Sequence, residues 1–265
     1  MKKSFTINCG RSFDEIMLYK DELLQTGVYQ ACELFYPTEN NGIDRLTYTK
    51  NIRCLKRILP NIEFVLHLPF SQEYNIADSN KQEEAIQTLK QAIEYASLLG
   101  IKKVTLHPGF ANEGEDRSLC IQNAIFEIKK LKQFASNYNI TMMLENMVKP
   151  LEFMTTAEEI LYFLTECDVG FTLDIGHAAI SKIDIVSLIY QTKDYLMHTH
   201  IHDNHLVHDE HLSIGLGKID FNPILQALCS IDYQYLLGME ALFSTTKDLM
   251  NNASKLNDIL EEVKI

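Results

Sequence analysis

The sequence predicts a closed (β/α)₈ barrel, and three observations point there. Eight short apolar runs alternate with segments patterned for helix. A length of 265 residues suits one barrel built on a single core, 1–265, and no Pro- or Ser-rich linker or low-complexity tract divides it. Six of the runs also carry His, Asp or Glu at or just past their last apolar position, as expected where strands deliver polar groups to one barrel mouth.

The elements follow in order. Phe5 to Asn8 is the first strand, and SFDEIMLYKDELLQTG is a helix opening on the capping box Ser12-x-x-Glu15 and closing at Gly27. The turn between them, NCGRS, is no dinucleotide fingerprint, which argues against an open doubly wound sheet. Ala31 to Phe35 and Glu63 to His67 are the next strands. KQEEAIQTLKQAIEYASLLG places Ile86, Leu89, Ile93 and Ala96 on one helical stripe and ends at Gly100. Strands are predicted at Lys103 to His107 and Thr141 to Glu145. Thr155 and Thr156 each have a glutamate three residues on, Glu158 and Glu159, ahead of the helix containing ILYFL. Strands Gly170 to Asp174 and Leu196 to Ile201 follow, then a helix starting at Asn222-Pro223 and a last strand at Tyr235 to Glu240.

Composition narrows the functional classes. The formal charge of −12 argues against a broad nucleic-acid surface, and all five arginines (Arg11, Arg45, Arg53, Arg57, Arg117) precede position 118. No apolar stretch is long enough to span a membrane, and the start reads as lacking a removable leader, so a soluble cytoplasmic protein is expected. Six cysteines without CxxC spacing suggest reduced thiols rather than a zinc ribbon or disulfide framework.

The polar residues at the strand ends are His67, His107, Glu145, Asp174 with His177, His200, Asp209 with His211, and Glu240. One histidine at a strand end is more often a hydrogen-bonded core or loop residue. Six such strands in succession reverse that reading and point to a metal site. His198 and His202 share the face of His200 by strand alternation but fall deeper and further out, so they are left outside the ligand set. His205 and His208 belong to a polar loop, where they are expected to be solvated or to reach a substrate. Glu33 either fixes the rim or contacts substrate, and Gly215 and Gly217 permit a tight turn.

The motifs LHPGF, LENM, LDIGH, HIHDN followed by DEHLSIGLGKID, and GMEA make the chain resemble, over essentially its whole length, the xylose isomerase-like TIM-barrel superfamily. That superfamily includes sugar and sugar-phosphate isomerases and epimerases as well as endonuclease IV-type apurinic-site nucleases. The resemblance implies one ion held by His67, His107 and Glu145, and a second held by Glu145 with Asp174, His200 and Glu240. It implies a third at His177, Asp209 and His211. One to three divalent ions, zinc or manganese, are therefore expected. The loop LPFSQEYNIADSN after His67 is not an aromatic, basic DNA-penetrating segment, which favours a small sugar or sugar-phosphate substrate over nucleic acid.

The expected reaction is isomerisation or epimerisation through an enediolate, with Glu145 and Glu240 exchanging the carbon-bound proton and His177 and Lys218 orienting substrate. The alternative is an endonuclease IV-like trinuclear-zinc phosphoester hydrolase, for which all nine ligand positions are filled.

Overall fold

The computed structural model describes residues 1–7, 28–38, 44–242 and 245–263. Eight parallel strands close in sequence order into a barrel: β1 Lys2–Ile7, β2 Ala31–Phe35, β3 Glu63–His67, β4 Lys103–Leu106, β5 Thr141–Glu145, β6 Gly170–Asp174, β7 Leu196–Ile201 and β8 Leu236–Met239. β1 pairs with both β2 and β8, so no sheet edge is left open. Five strands have the ends the sequence predicts. β1 begins three residues before Phe5, β4 and β8 stop one residue short of His107 and Glu240, and β8 starts one residue after Tyr235. Asn8 and the Ser12 to Gly27 helix lie outside the described residues.

The helices among the described residues are α1 Arg45–Ile58, α2 Gln82–Leu98, α3 Arg117–Ser136, α4 Ala157–Cys167, α5 Ile175–Ile180, α6 Ile185–Thr192, α7 Phe221–Ser230 and α8 Thr246–Glu262. Side-chain caps explain where most of them start. Asp44, Asp116, Thr156, Asp174, Asp184, Asp220 and Thr245 each accept a first-turn amide, which satisfies donors the helix cannot pair itself. The cap of α7 is Asp220, two residues ahead of the expected Asn222. Gly100, just past α2, takes a left-handed φ of +66°, the conformation that lets the chain turn from helix to β4.

The main core lies between strands and helices and joins residues such as Leu34, Leu66, Leu89, Ile93, Phe163 and Phe171, all buried. A smaller cluster of Ala31, Val65, Met143 and Leu236 occupies the barrel interior. Successive inward positions on a strand are two residues apart. Stepping up from that apolar layer therefore leads from Ala31 to Glu33, Val65 to His67, Met143 to Glu145 and Leu236 through Gly238 to Glu240. The barrel is apolar at one level and heavily ionisable above it, at the carboxyl ends of the strands. No helix among the described residues is long and apolar enough to cross a membrane.

Candidate active site at the carboxyl ends of the strands

Glu145, at the end of β5, is the centre of the cluster. Its Oε2 lies 3.2 Å from His67 Nε2 and 3.3 Å from His107 Nε2, while Oε1 lies 3.2 Å from His200 Nδ1. The same His200 Nδ1 stands 3.3 Å from Glu240 Oε2 and 3.8 Å from Asp174 Oδ2. One nitrogen is thus ringed by three carboxylates carried on β5, on β6 and just beyond β8.

Asp174 serves two elements at once. It ends β6 and caps α5, its Oδ1 accepting the His177 amide at 2.6 Å, so His177 is set on the first turn directly above the strand. The next groups come from the loop after β7. Asp209 Oδ2 lies 3.2 Å from both His177 Nε2 and His211 Nε2. That loop is folded around buried Asp203, whose two oxygens accept the amides of Asn204, Gly215, Gly217 and Ile219 at 2.8 to 3.1 Å.

Ring orientation is set from behind. His67, His177 and His211 each donate from Nδ1 to a backbone carbonyl, of Leu68, Asn146 and Glu240, at 2.8, 2.9 and 3.1 Å. Their Nε2 atoms are left facing the carboxylates, the arrangement by which outer contacts fix the tautomer of a metal-binding imidazole. Asn146 does more than accept from His177, because its amide group also bonds both the N–H and the C=O of Asp174 at 2.8 and 2.9 Å.

The electrostatics follow from packing acids and imidazoles together out of water. Burial alone would raise the Glu145 carboxyl, but His200 and His107 outweigh it and hold the group well below the usual carboxylate range. Glu240 moves the other way, because burial and the neighbouring charges of Glu145 and Asp174 exceed the help from His200. Burial opposes charge on His200 and His177, yet the surrounding carboxylates raise both well above the ordinary imidazole value.

This donor set suits a divalent cation. His200 Nδ1 is buried and makes no hydrogen bond, although three carboxylate oxygens lie 3.2 to 3.8 Å away. Ligand atoms about 2.0–2.2 Å from a common ion stand roughly 3–3.6 Å from one another, so the spacing fits. Among the described residues, groups whose ligand atoms lie within 4.8 Å of one another are Glu145, Asp174, His200 and Glu240; His67, His107 and Glu145; Asp174, His177 and His202; His202, His211 and Glu240; and Glu33, His198 and His200. The first two are the sets implied by the family resemblance. On the third side the close groups enlist His202.

His202, left outside the ligand set by the sequence, lies within the cluster. The chain past β7 keeps its ring in the mouth, fully buried, 3.2 Å from Asp174 Oδ1 and stacked on His211 at 4.1 Å between centroids. His198 joins indirectly, reaching Glu33 Oε2 at 3.2 Å. Lys218, expected to orient substrate, stands apart from the cluster. Its amide is tied to the Asn204 carbonyl, its side chain is exposed, and it is not among the described residues that line the cavity. His205 and His208 are exposed, as expected for the loop. Asn146 was missed, and its only signal was a polar residue directly after Glu145 in an apolar run.

The cluster opens into a cavity of about 990 Å³. His67, His107, Glu145, His177, Asp209, His211 and Glu240 line its inner end, and the loops after β3, β4 and β5 form one wall. That wall is sewn together. Asn75 bonds both the C=O and the N–H of Phe110, at 2.8 and 3.2 Å, while Ala111 and Phe153 pair with Leu151 and Gly109. Phe70 packs against His107 and His67, with centroids 4.7 and 4.9 Å apart, and remains half exposed to the cavity.

Comparison with known proteins agrees with this architecture. An uncharacterized protein of Methanocaldococcus jannaschii is 30% identical over 226 residues, 81% of this chain and 76% of that protein. A probable endonuclease 4 of Metamycoplasma arthritidis is 28% identical over 181 residues, 66% of this chain and 62% of its own. Among solved structures, a D-tagatose 3-epimerase-like protein superposes with a TM-score of 0.85 at 25% identity, covering 100% of this chain and 98% of that one. A D-psicose 3-epimerase shares the fold at 15% identity with a TM-score of 0.78, covering 98% and 99%. Residues 21–259 match the family described as xylose isomerase-like TIM barrel. The chain belongs to that xylose isomerase-like TIM barrel family.

Proposed function

We propose that this protein is a metal-dependent isomerase or epimerase of a sugar or sugar phosphate. One observation carries the reading: Glu145 Oε1 and Glu240 Oε2 both approach His200 Nδ1, at 3.2 and 3.3 Å, in one cluster with Asp174. A divalent cation held by Glu145, Asp174, His200 and Glu240 would polarise adjacent hydroxyl and carbonyl oxygens of a sugar and make the hydrogen on the intervening carbon acidic.

The residues of the chain supply the rest. Two carboxylates on opposed sides of one bound carbon can remove a proton from one face and return it to the other. In the metal-free cluster their environments already differ, His200 and His107 holding Glu145 towards the ionised form while burial pushes Glu240 towards the protonated one. Phe70 offers an apolar surface to the C–H face of a sugar ring, and His177, at the cavity's inner end, is placed to orient hydroxyl groups. The likeness to a D-tagatose 3-epimerase-like protein supports the same reading.

Phosphoester hydrolysis is the second reading. It is favoured by the imidazoles that proton transfer does not need, His67 and His107 on one side of Glu145 and His211 with Asp209 on the other, and by the likeness to a probable endonuclease 4. The deciding experiment incubates metal-loaded protein with a ketose and ketose-phosphate panel in deuterated water, and in parallel with an abasic duplex. Solvent deuterium entering the carbon beside the carbonyl supports the first reading. Strand cleavage with no incorporation into any sugar overturns it.

A further inference from the structure

Glu33 has no part in the proton transfer described above, yet it is one of the most completely buried carboxylates in the barrel, 1% exposed at the middle of β2. Among the described residues no lysine or arginine pairs with it. Its partners are two imidazoles, both on the same oxygen: Oε2 lies 2.8 Å from His200 Nε2 and 3.2 Å from His198 Nε2. Oε1 has no hydrogen-bond partner, and neither has Nδ1 of His198. Burying a carboxylate without a cation is costly enough that packing alone does not account for it.

We infer that Glu33, braced by His198, is a positioning residue that fixes His200 with its hydrogen on Nε2 and so turns the Nδ1 lone pair towards a divalent cation shared with Glu145, Asp174 and Glu240. The inference rests on the metal reading of that cluster, not on the reaction assigned to it.

The steps are geometric. A carboxylate oxygen offers only lone pairs, so a ring nitrogen 2.8 Å from it supplies the hydrogen. A neutral imidazole with its hydrogen on Nε2 has its free pair on Nδ1, and that is the atom ringed by three carboxylate oxygens. His200 differs here from His67, His177 and His211, whose hydrogens go to backbone carbonyls. A carboxylate acceptor is charge-assisted and makes the opposite nitrogen a stronger donor to a cation.

His198 prevents Glu33 from swinging away, because its own hydrogen occupies the same oxygen from the strand level below, edge-on to His200 with ring centroids 5.1 Å apart. Gly238 makes the arrangement possible. A Cβ there would overlap the Thr199 carbonyl oxygen and come within 2.8 Å of His198 Cε1, so β8 has to pass without a side chain at that level.

The test measures metal, not turnover. Wild-type and Glu33→Gln proteins are stripped and titrated with Zn²⁺ or Mn²⁺ against a competing chelator, with thermal melts in chelator as the check on folding. The expected result is an affinity about 10- to 100-fold weaker in Glu33→Gln, as for loss of other contacts behind a metal-binding histidine. A folded Glu33→Gln chain with wild-type affinity overturns the inference. Should that variant fail to fold, ¹⁵N ring shifts of His200 in the metal-loaded wild type decide: hydrogen on Nε2 supports the inference and hydrogen on Nδ1 overturns it. A wild type that binds neither ion removes its basis. One that binds metal with Glu33-dependent affinity but exchanges no sugar hydrogen upholds it while sinking the epimerase reading.

Discussion

The imidazole of His202 fills the space that a side chain on Gly176 would occupy. Gly176 is in the first turn of α5 and His202 lies just past β7, so the contact locks the turn carrying His177 against the loop carrying Asp209 and His211. His202 has nowhere to retreat, being fully buried between Asp174 and the His211 ring.

Gly176→Ala is therefore expected to act against helix propensity. In an exposed helix the change would stabilise by up to about 1 kcal/mol. Here the added methyl overlaps the His202 ring, and overpacking is expected to destabilise the fold by roughly 1–3 kcal/mol and displace Asp174 from the cluster. Denaturant unfolding in the presence of chelator reads the stability, and chelator competition reads the metal affinity. A variant as stable as the wild type, with unchanged affinity, would show that the ring moves freely.

Asp203 tests the loop itself. Four amides converge on its carboxylate, including those of Gly215 and Gly217, and a Cβ on Gly217 would overlap Asp203 Oδ1. Asp203→Ala leaves those donors unsatisfied and is expected to destabilise by about 2–4 kcal/mol, since buried groups stripped of a charged partner bear the full desolvation penalty. Limited proteolysis should then cut within residues 205–217 faster than in the wild type. Equal resistance would mean that the loop is held by other contacts.

The strands were the easiest part to read. β2, β3, β5, β6 and β7 end where the apolar runs end, because strands of a parallel barrel are covered on both sides and show as nearly unbroken hydrophobic runs. The nine ligand candidates also converge at one mouth, since a barrel collects the ends of its strands. Depth was harder. His198, His200 and His202 share a face by alternation, but nothing local to HTHIH says that His198 reaches Glu33 or that the space at Gly176 admits His202. Both facts depend on partners 165 and about 26 residues away. The placing of Lys218 is set just as remotely, because Asp203 gathers the amides on either side of it and its side chain is exposed.

The two-carboxylate arrangement predicts asymmetric variants. If Glu145 and Glu240 serve opposite faces of the substrate carbon, Glu145→Gln and Glu240→Gln should each reduce epimerisation by about 10²- to 10⁴-fold, the usual size of a general acid–base contribution. Exchange of substrate hydrogen with deuterated solvent should survive in each variant for the one epimer whose C–H faces the remaining carboxylate. Metal content has to be measured alongside, because both residues are also candidate ligands. Equal loss of exchange for both epimers in metal-replete variants would eliminate the two-face scheme.

The imidazole cluster also predicts how stability of the metal-free chain depends on pH. Burial favours the neutral His211 ring, but the hydrogen bond to Asp209 and the charge of Glu240 hold it up to about 9. His200 and His177 are raised in the same direction. A group raised on folding contributes stability that is fully present below its unfolded value, about 6.5 for histidine, and that is lost as pH climbs through the folded value. Glu33 and Glu145, which their histidines hold low in spite of burial, contribute above the ordinary carboxylate range and lose that contribution in acid. In chelator the melting temperature should therefore peak between about pH 5 and 6.5 and fall towards pH 9. A divalent cation takes the place of those protons, so its stabilisation should grow from pH 6 to pH 9. It should reach about 2.7 kcal/mol at a free-ion concentration a hundredfold above Kd. Melting curves across that range with chelator and with Zn²⁺ test both limbs. An alkaline decline of the same steepness with and without the ion would mean that protons and metal do not compete for these rings.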